Sequence, residues 1–266
     1  MEKKHFQSSF DYTFFNLKLD TTWLGRDFTL VDEIDSSNSF LMNSDSQIKA
    51  NGAVLMAEKQ LAGKGRFDRT WFSSKFENLT FSILINDEEL LSLDPIVFSF
   101  GAIVAVSKAL ESQYQVKNGI KWPNDLLSDG KKICGVLSER TFIGDRIEKL
   151  VIGIGLNVNQ TNFQGEYSIQ PTSVAKEINS SVSREKLLAE ILNEFEELIS
   201  RSEGTTSLVI KEWKQRCPYL GDSIGIKQNE NTEYGIFADV EEDGTLVLRQ
   251  KDKLLKFNYG DVSLIL

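Results

Sequence analysis

From Asp94-Pro95 to about residue 113 the chain is apolar on nearly every side of a helix, and this stretch limits the fold more than any other feature. Proline suits a first helical turn, where its missing N–H costs nothing, and a helix without a polar face must be covered all round. A sheet is the natural cover. Alternation of Leu79, Phe81, Ile83 and Ile85 predicts a half-buried strand before it, and residues 117–122 predict another, stopped at Pro123. Residues 131–143 and 146–158 predict a hairpin that turns at Gly144-Asp145. Upstream, residues 28–34 and 52–59 predict two further strands, and Asp35, Ser36, Ser37 and Asn38 offer N-caps for a helix to about residue 49. Residues 160–182 read as an irregular connection near the site. Helical spacing resumes from Ser183 to Ile199, with a short helix over Leu208–Trp213. After Cys217-Pro218 the pattern changes to short alternating strands, and Asp243-Gly244 marks a hairpin between residues 236–241 and 245–250. The expectation is an α/β (α+β) fold, with a mixed-sheet main domain over residues 1–217 and a small β barrel over residues 218–266.

Composition removes several function classes. A net charge of −9 over 266 residues argues against a long nucleic-acid track, so a local basic loop reads as an anion site. Cys134 and Cys217 are the only cysteines, which excludes a disulfide framework and a cysteine-rich zinc site; Cys134 reads as a small buried hydrophobe. His5 is the single histidine, so no histidine triad or histidine-based metal site is available elsewhere. No apolar run reaches the length of a membrane span, and the N-terminus lacks a continuous apolar segment of the secretory kind. A cytoplasmic protein with no membrane partner is expected.

Residues Gly63-Lys64-Gly65-Arg66-Phe67-Asp68-Arg69-Thr70-Trp71 pack two glycines, three cations and an indole into nine positions. That is a poor core segment and a good anion-binding loop. Positive φ at Gly63 and Gly65 would turn backbone N–H groups inward on an anion, with Lys64, Arg66 and Arg69 supplying charge and Trp71 free to stack on a flat base. A solvated basic turn explains the loop alone equally well. Context tips the balance: Lys121-Trp122-Pro123-Asn124-Asp125, Lys132-Ile133-Cys134-Gly135 and Gly153-Ile154-Gly155-Leu156-Asn157 each follow or interrupt an apolar run.

With Ser36-Ser37-Asn38 and Gln60, this ordered set resembles the biotin–protein ligase family, whose pattern includes a serine/threonine–asparagine step, a GRGRxGRxW loop, KWPND, K-x-x-G and G-x-G-x-N. The resemblance spans residues 30–160. It implies a catalytic domain of the biotin/lipoate ligase type with an SH3-like C-terminal domain, and Gly260-Asp261-Val262-Ser263-Leu264 is similar to that family's closing strand. Lys64 stands where the family usually has arginine, losing the bidentate fork, and Asp68 where it usually has glycine, with Arg66 or Arg69 as its available partners. The implied reaction takes biotin and ATP with Mg2+, forms biotinyl-5'-AMP, and passes biotin to a lysine on a biotin carboxyl carrier domain. A carboxylate is already a nucleophile at neutral pH, so the reaction needs charge and alignment rather than a histidine base.

On this resemblance Lys121 and Arg66 are the catalytic cations. Ser36, Ser37, Asn38, Gln60, Lys64, Gly65, Arg66, Lys121, Gly135, Gly153 and Gly155 surround biotin. Lys64, Arg66, Arg69, Trp71, Asn124, Lys132 and Asn157 hold the nucleotide. Asn124 and Asp125 would orient Lys121 or bind magnesium, and Asp125 would accept a proton from the acceptor lysine; no dedicated metal cage is visible, and the metal ligands are unassigned. Plain structural roles compete: helix capping for Ser36 or Asn38, core packing for Trp71, and relief of crowding under the long helix for Gly153 and Gly155. Three other functions compete as well. A lipoate–protein ligase shares the adenylation logic, a silent biotin-binding module would keep the pocket without the chemistry, and a DNA-binding regulator would need a winged helix ahead of the first strand, where only about 27 residues stand. No DNA partner is therefore expected, whereas a homodimer through the catalytic sheet is compatible.

Overall fold

The computed structural model describes residues 10–67, 69–202, 204–228 and 230–264; His5 and Asp68 lie outside them. The chain runs α1 (Tyr12–Lys18), β1 (Phe28–Ile34), α2 (Ser37–Met42), β2 (Val54–Gln60), β3 (Leu79–Ile85), α3 (Glu88–Leu91) and α4 (Pro95–Tyr114). Then follow β4 (Gly119–Lys121), β5 (Asp125–Ser128), β6 (Lys131–Ile143), β7 (Arg146–Leu156), α5 (Val174–Ile178), α6 (Arg184–Arg201) and α7 (Thr206–Gln215). The last strands are β8 (Ser223–Gln228), β9 (Asn231–Val240), β10 (Leu246–Gln250), β11 (Lys253–Phe257) and β12 (Asp261–Leu264). A seven-stranded sheet has the order β1-β2-β3-β7-β6-β5-β4, parallel only at β1 and β2, and a five-stranded antiparallel sheet has the order β11-β10-β9-β8-β12.

The long apolar helix explains the layering. Asp94 caps α4 by accepting from the Ile96 N–H at 2.9 Å, Pro95 occupies its first turn, and Gln115 ends it in the left-handed region. α4 packs between the large sheet and the pair α6 and α7. By length and mean hydropathy (1.4 over 20 residues) it would pass for a membrane span, which corrects the expectation that no apolar run is long enough; burial in the core accounts for its composition. Phe81, Ile83, Ile152 and Ile154 point into the core that α4 shares. Their alternates Leu84 and Val151 meet Leu41 of α2 on the opposite face.

Several local expectations change. Helix α2 ends at Met42 rather than near residue 49, because Asn43 leaves helical geometry and its side chain accepts from the Asp45 N–H. β3 is buried along its whole length instead of half-buried, since α2 covers the face that carries Thr80 and Ser82. α1 and β5 were not foreseen; α1 buries Phe15 against Phe10 and Phe28.

The small sheet is bonded to the large one rather than tethered. Trp122 donates its indole N–H to the Gly244 carbonyl at 2.9 Å, while the neighbouring Ile120 N–H reaches the Arg216 carbonyl at the end of α7 at 2.8 Å. A Cβ at Gly244 would lie 2.5 Å from Ile96, so the β9–β10 turn sits against α4.

Candidate active site

Residues paired directly across neighbouring strands share a face of the sheet. Thr80 faces Gly155, Gly155 faces Gly135, Gly135 faces Asp125, and Asp125 faces Lys121, a single row across β3, β7, β6, β5 and β4. At about 4.8 Å per strand the row is roughly 19 Å long. One step along, Ser82 faces Gly153. This is the face away from α4, so the crowding explanation for Gly153 and Gly155 fails. Each glycine instead clears room for a neighbour on the site face. A Cβ at Gly153 would lie 2.3 Å from Asn38 Oδ1, and one at Gly155 would lie 2.4 Å from the Trp71 indole.

The ring end is built where α2 starts. Ser36 is the N-cap, its hydroxyl accepting from the Ser39 N–H at 3.4 Å, so the capping role holds for it. Ser37 reaches Gln60 Oε1 through its N–H at 2.7 Å and its hydroxyl at 2.9 Å. Ser82 Oγ lies 2.6 Å from Ser37 Oγ and donates to Asn38 Oδ1 at 2.5 Å, while Asn38 Nδ2 donates to Glu139 Oε2 at 2.8 Å. Ser37, Asn38 and Gln60 come together as expected. Ser82 and Glu139 were missed.

The loop after β2 differs from expectation in its backbone. Neither Gly63 nor Gly65 has positive φ; Phe67 has it instead, at 54°. Gly65 N–H donates to the Arg69 carbonyl at 2.6 Å and Trp71 N–H to the Gly63 carbonyl at 2.9 Å, so these amides close a hairpin rather than point at an anion. Glycine is required here by close approach: a Cβ at Gly63 would lie 2.4 Å from the Trp71 carbonyl oxygen. Lys64 lies 3.9 Å from Glu139. Arg66 donates to Asn124 Oδ1 at 3.2 Å and to the Gly260 carbonyl at 3.5 Å, and Arg69 pairs with Asp261. The last two partners come from the small sheet, and Asp261 was not foreseen.

Lys121 ends β4, followed by a cis Trp122-Pro123 peptide. Asp125 lies opposite it in the pairing, yet the Asp125 carboxylate goes to Lys132 at 2.6 Å. Asn124 holds Arg66, not Lys121 as supposed. Lys121 is buried along most of its length, and among the described residues no carboxylate closes a salt bridge on its ammonium. Burial pushes its pKa down, Asp125 and then Asp261 oppose that, and Lys132 and Arg69 add to it. Burial likewise lowers Arg66 and raises the Cys134 and Cys217 thiols, Cys217 to about 12, which leaves both cysteines as packing residues.

The Trp71 ring lies over Gly155 with Lys132 Nζ 5.7 Å from its centroid, so its neighbours are site residues and not the core. Asn157, on the same face two residues beyond Gly155, donates Nδ2 to the Thr172 carbonyl at 3.0 Å. Residues 170–172 run beside Lys132, which places the irregular connection at the site as expected. Trp71 Nε1 and Asn157 Oδ1 are both buried without a hydrogen-bond partner among the described residues.

Residues 30–157, which carry this whole row and the loop, match the biotin/lipoate A/B protein ligase family. Those residues carry a domain of that family's type. Over 250 residues it is 28% identical to the bifunctional ligase/repressor BirA of Bacillus spizizenii, covering 92% of this chain and 76% of that one. The biotin–[acetyl-CoA-carboxylase] ligase of Mycobacterium tuberculosis is 26% identical over 244 residues, 89% of this chain and 88% of that one. Among solved structures, the biotin protein ligase from Aquifex aeolicus in complex with biotin and ATP superposes with a TM-score of 0.76 at 26% identity, covering 90% of this chain and 99% of that one. The chain has a mixed α+β architecture with a second antiparallel sheet at its C-terminal end, and it superposes on that ligase over most of its length.

Proposed function

We infer that this chain is an ATP-dependent biotin–protein ligase. The observation that carries the reading is Lys121, a lysine buried along most of its length with no carboxylate closed on its ammonium among the described residues, at the end of the row and close to Asp125, Asp261 and Arg69. A largely desolvated cation with no ion-pair partner is ready to receive an anion, and a phosphate with a carboxylate supplies one. In the first half-reaction a carboxylate oxygen of biotin attacks the α-phosphorus of ATP. The new P–O bond forms as the bond to pyrophosphate breaks, and Lys121, Arg66 and Arg69 balance the charge that builds on the phosphoryl oxygens. In the second, the neutral amine of the acceptor lysine attacks the acyl carbon, the C–N bond forms, AMP leaves with the former carboxyl oxygen, and the amine gives up a proton.

The residues fit an adenylate. Trp71 and Asn157 offer an adenine a stacking face, an unpaired N–H donor and an unpaired oxygen acceptor, which complement its ring nitrogens and amino group. Ser37, Asn38 and Gln60 offer hydrogen bonds to a small polar ring. Among the described residues no cluster of three acidic, histidine or cysteine side chains occurs, so Mg2+ would arrive as the counter-ion of ATP, held chiefly by phosphate and water.

Finer points belong to the same proposal. The acceptor is a biotin carboxyl carrier domain, the setting is cytoplasmic, and the −9 net charge argues against DNA as a partner. The boundary between catalytic and SH3-like units falls at residues 217–218, between α7 and β8. A second copy would pair at the open edge of β1, which gel filtration tests. The deciding experiment is ATP–pyrophosphate exchange with biotin and with lipoate, followed by transfer to a carrier domain. Exchange with biotin alone supports the reading, and exchange with lipoate alone, or with neither acid, overturns it.

A further inference from the structure

The polar cluster at the ring end does not contain enough hydrogens for its contacts. At one end the Ser37 backbone N–H, which can only donate, fixes Gln60 with Oε1 inward at 2.7 Å. At the other end Asn38 Nδ2 faces Glu139 Oε2 at 2.8 Å and the Leu137 carbonyl at 3.3 Å, two groups that only accept, which fixes Asn38 with Oδ1 inward. Between these two acceptors stand two hydroxyls, Ser37 and Ser82, in contacts of 2.9, 2.6 and 2.5 Å. Each hydroxyl owns one hydrogen, so three contacts share two. Turning the Asn38 amide over would let Nδ2 donate to Ser82 and complete the chain. Glu139 forbids that turn, because Oδ1 would then face its carboxylate.

We propose that Glu139 is a positioning residue for ring recognition: by holding the Asn38 amide in this sense it keeps the cluster one hydrogen short, and so selects a ring that brings an N–H, the cyclic urea of biotin, over one that brings none, the dithiolane of lipoate. An N–H donated to Gln60 Oε1, the accessible end of the cluster, frees the Ser37 hydrogen to fill the Ser37–Ser82 contact. Lys64 on the loop lies against the other Glu139 oxygen at 3.9 Å, so the same carboxylate touches the phosphate side. The proposal rests on the reading of the chain as a biotin ligase.

The test compares the wild-type chain, Glu139→Gln and Ser82→Ala in ATP–pyrophosphate exchange and in calorimetric binding, with biotin and its two mono-N-methyl ureas as probes. Glutamine at 139 can donate or accept, which leaves only the weaker 3.3 Å contact to the Leu137 carbonyl against a turn of Asn38; alanine at 82 removes the crowded contact itself. In the wild type, one N-methyl analogue should raise KM about tenfold over biotin, the scale of one unmade buried hydrogen bond, and in each variant that penalty should fall below about threefold, the change in the ratio being carried by KM rather than kcat. Because Ser82→Ala reaches the same contact by another route, a Glu139→Gln chain that fails to fold does not shelter the idea. A wild-type penalty retained in the folded variants overturns the role of Glu139 and leaves the ligase reading intact. Absence of biotin-dependent exchange and of biotin binding in the wild type instead overturns the ligase reading.

Discussion

The two ends of the site are built on opposite plans. At the end proposed for the ring, Ser37, Asn38 and Ser82 are buried on the sheet or on the first turn of α2, and they bond to one another, to Gln60 and to Glu139. At the phosphate end the Lys64 and Arg69 side chains are 49% and 57% exposed, on a loop, and Arg69 draws its partner from the small sheet. A neutral heterocycle offers only short, directional hydrogen bonds, so its walls must be fixed in advance. A phosphate offers charge, which acts over several ångströms and tolerates a cation that arrives with a loop. In character Lys121 is intermediate, buried along most of its length like the first set and charged like the second.

That intermediate position gives the largest expected effect. Lys121→Ala should lower exchange by the roughly 2.7–4 kcal/mol typical of one lost charge-stabilising contact, on the order of a hundred- to a thousandfold, with biotin binding by calorimetry nearly kept. Near-normal turnover would remove Lys121 from the reaction. Next comes Gly155→Ala, whose Cβ meets the Trp71 indole at 2.4 Å. Overpacking of about 1–3 kcal/mol should raise KM for ATP around tenfold and change biotin affinity less; equal changes in both would dissolve the division between the two ends.

The pH profile sharpens the comparison further. Burial lowers the Lys121 pKa, so its ammonium is lost at a lower pH than that of an exposed lysine, and exchange should fall along that alkaline limb. Asp125 is the largest opposing charge, hence Asp125→Asn should move the limb to lower pH, and Asp261→Asn should move it the same way by less. A limb that stays in place in both variants means that another group titrates. Asp261→Asn also breaks an exposed pair with Arg69, a loss of about 0–1 kcal/mol, so a few-fold rise in KM for ATP that fades with added salt is expected. Ser36→Ala should act least on exchange and mainly on melting temperature, at about 1 kcal/mol for a lost cap; a larger loss of biotin binding than of stability would return Ser36 to the pocket.

Strands were legible because alternation and turn residues mark them: the β6–β7 hairpin turns at Gly144-Asp145 and α4 starts at Asp94-Pro95 as read. The length of α2 was not, since an asparagine that leaves a helix looks in sequence like one that continues it. Lys121, Ser37, Asn38 and Gln60 were placed by short motifs, and the structure brings the last three together. Ser82 carried a usable signal. Thr80 and Ser82 alternate with Leu79, Phe81 and Ile83, so the strand reads as half-buried, whereas its polar face is buried as well. Glu139 and Asp261 carried none. The first gains its meaning from a contact with α2 and the second from a sheet that begins at Ser223, and neither contact leaves a local pattern in the chain.

The hydrogen bond from the Trp122 indole to the Gly244 carbonyl bears on how such a ligase can be cut and recombined. It ties the strand that ends in Lys121 to the small sheet, and Gly260 and Asp261 reach the loop from the same sheet. The terminal sheet is therefore no detachable tag. A chain shortened at residue 217 would surrender the anchor of its Lys121 strand and two supports of its loop, and a chimera that swaps this sheet for another must bring matching residues at positions 244, 260 and 261.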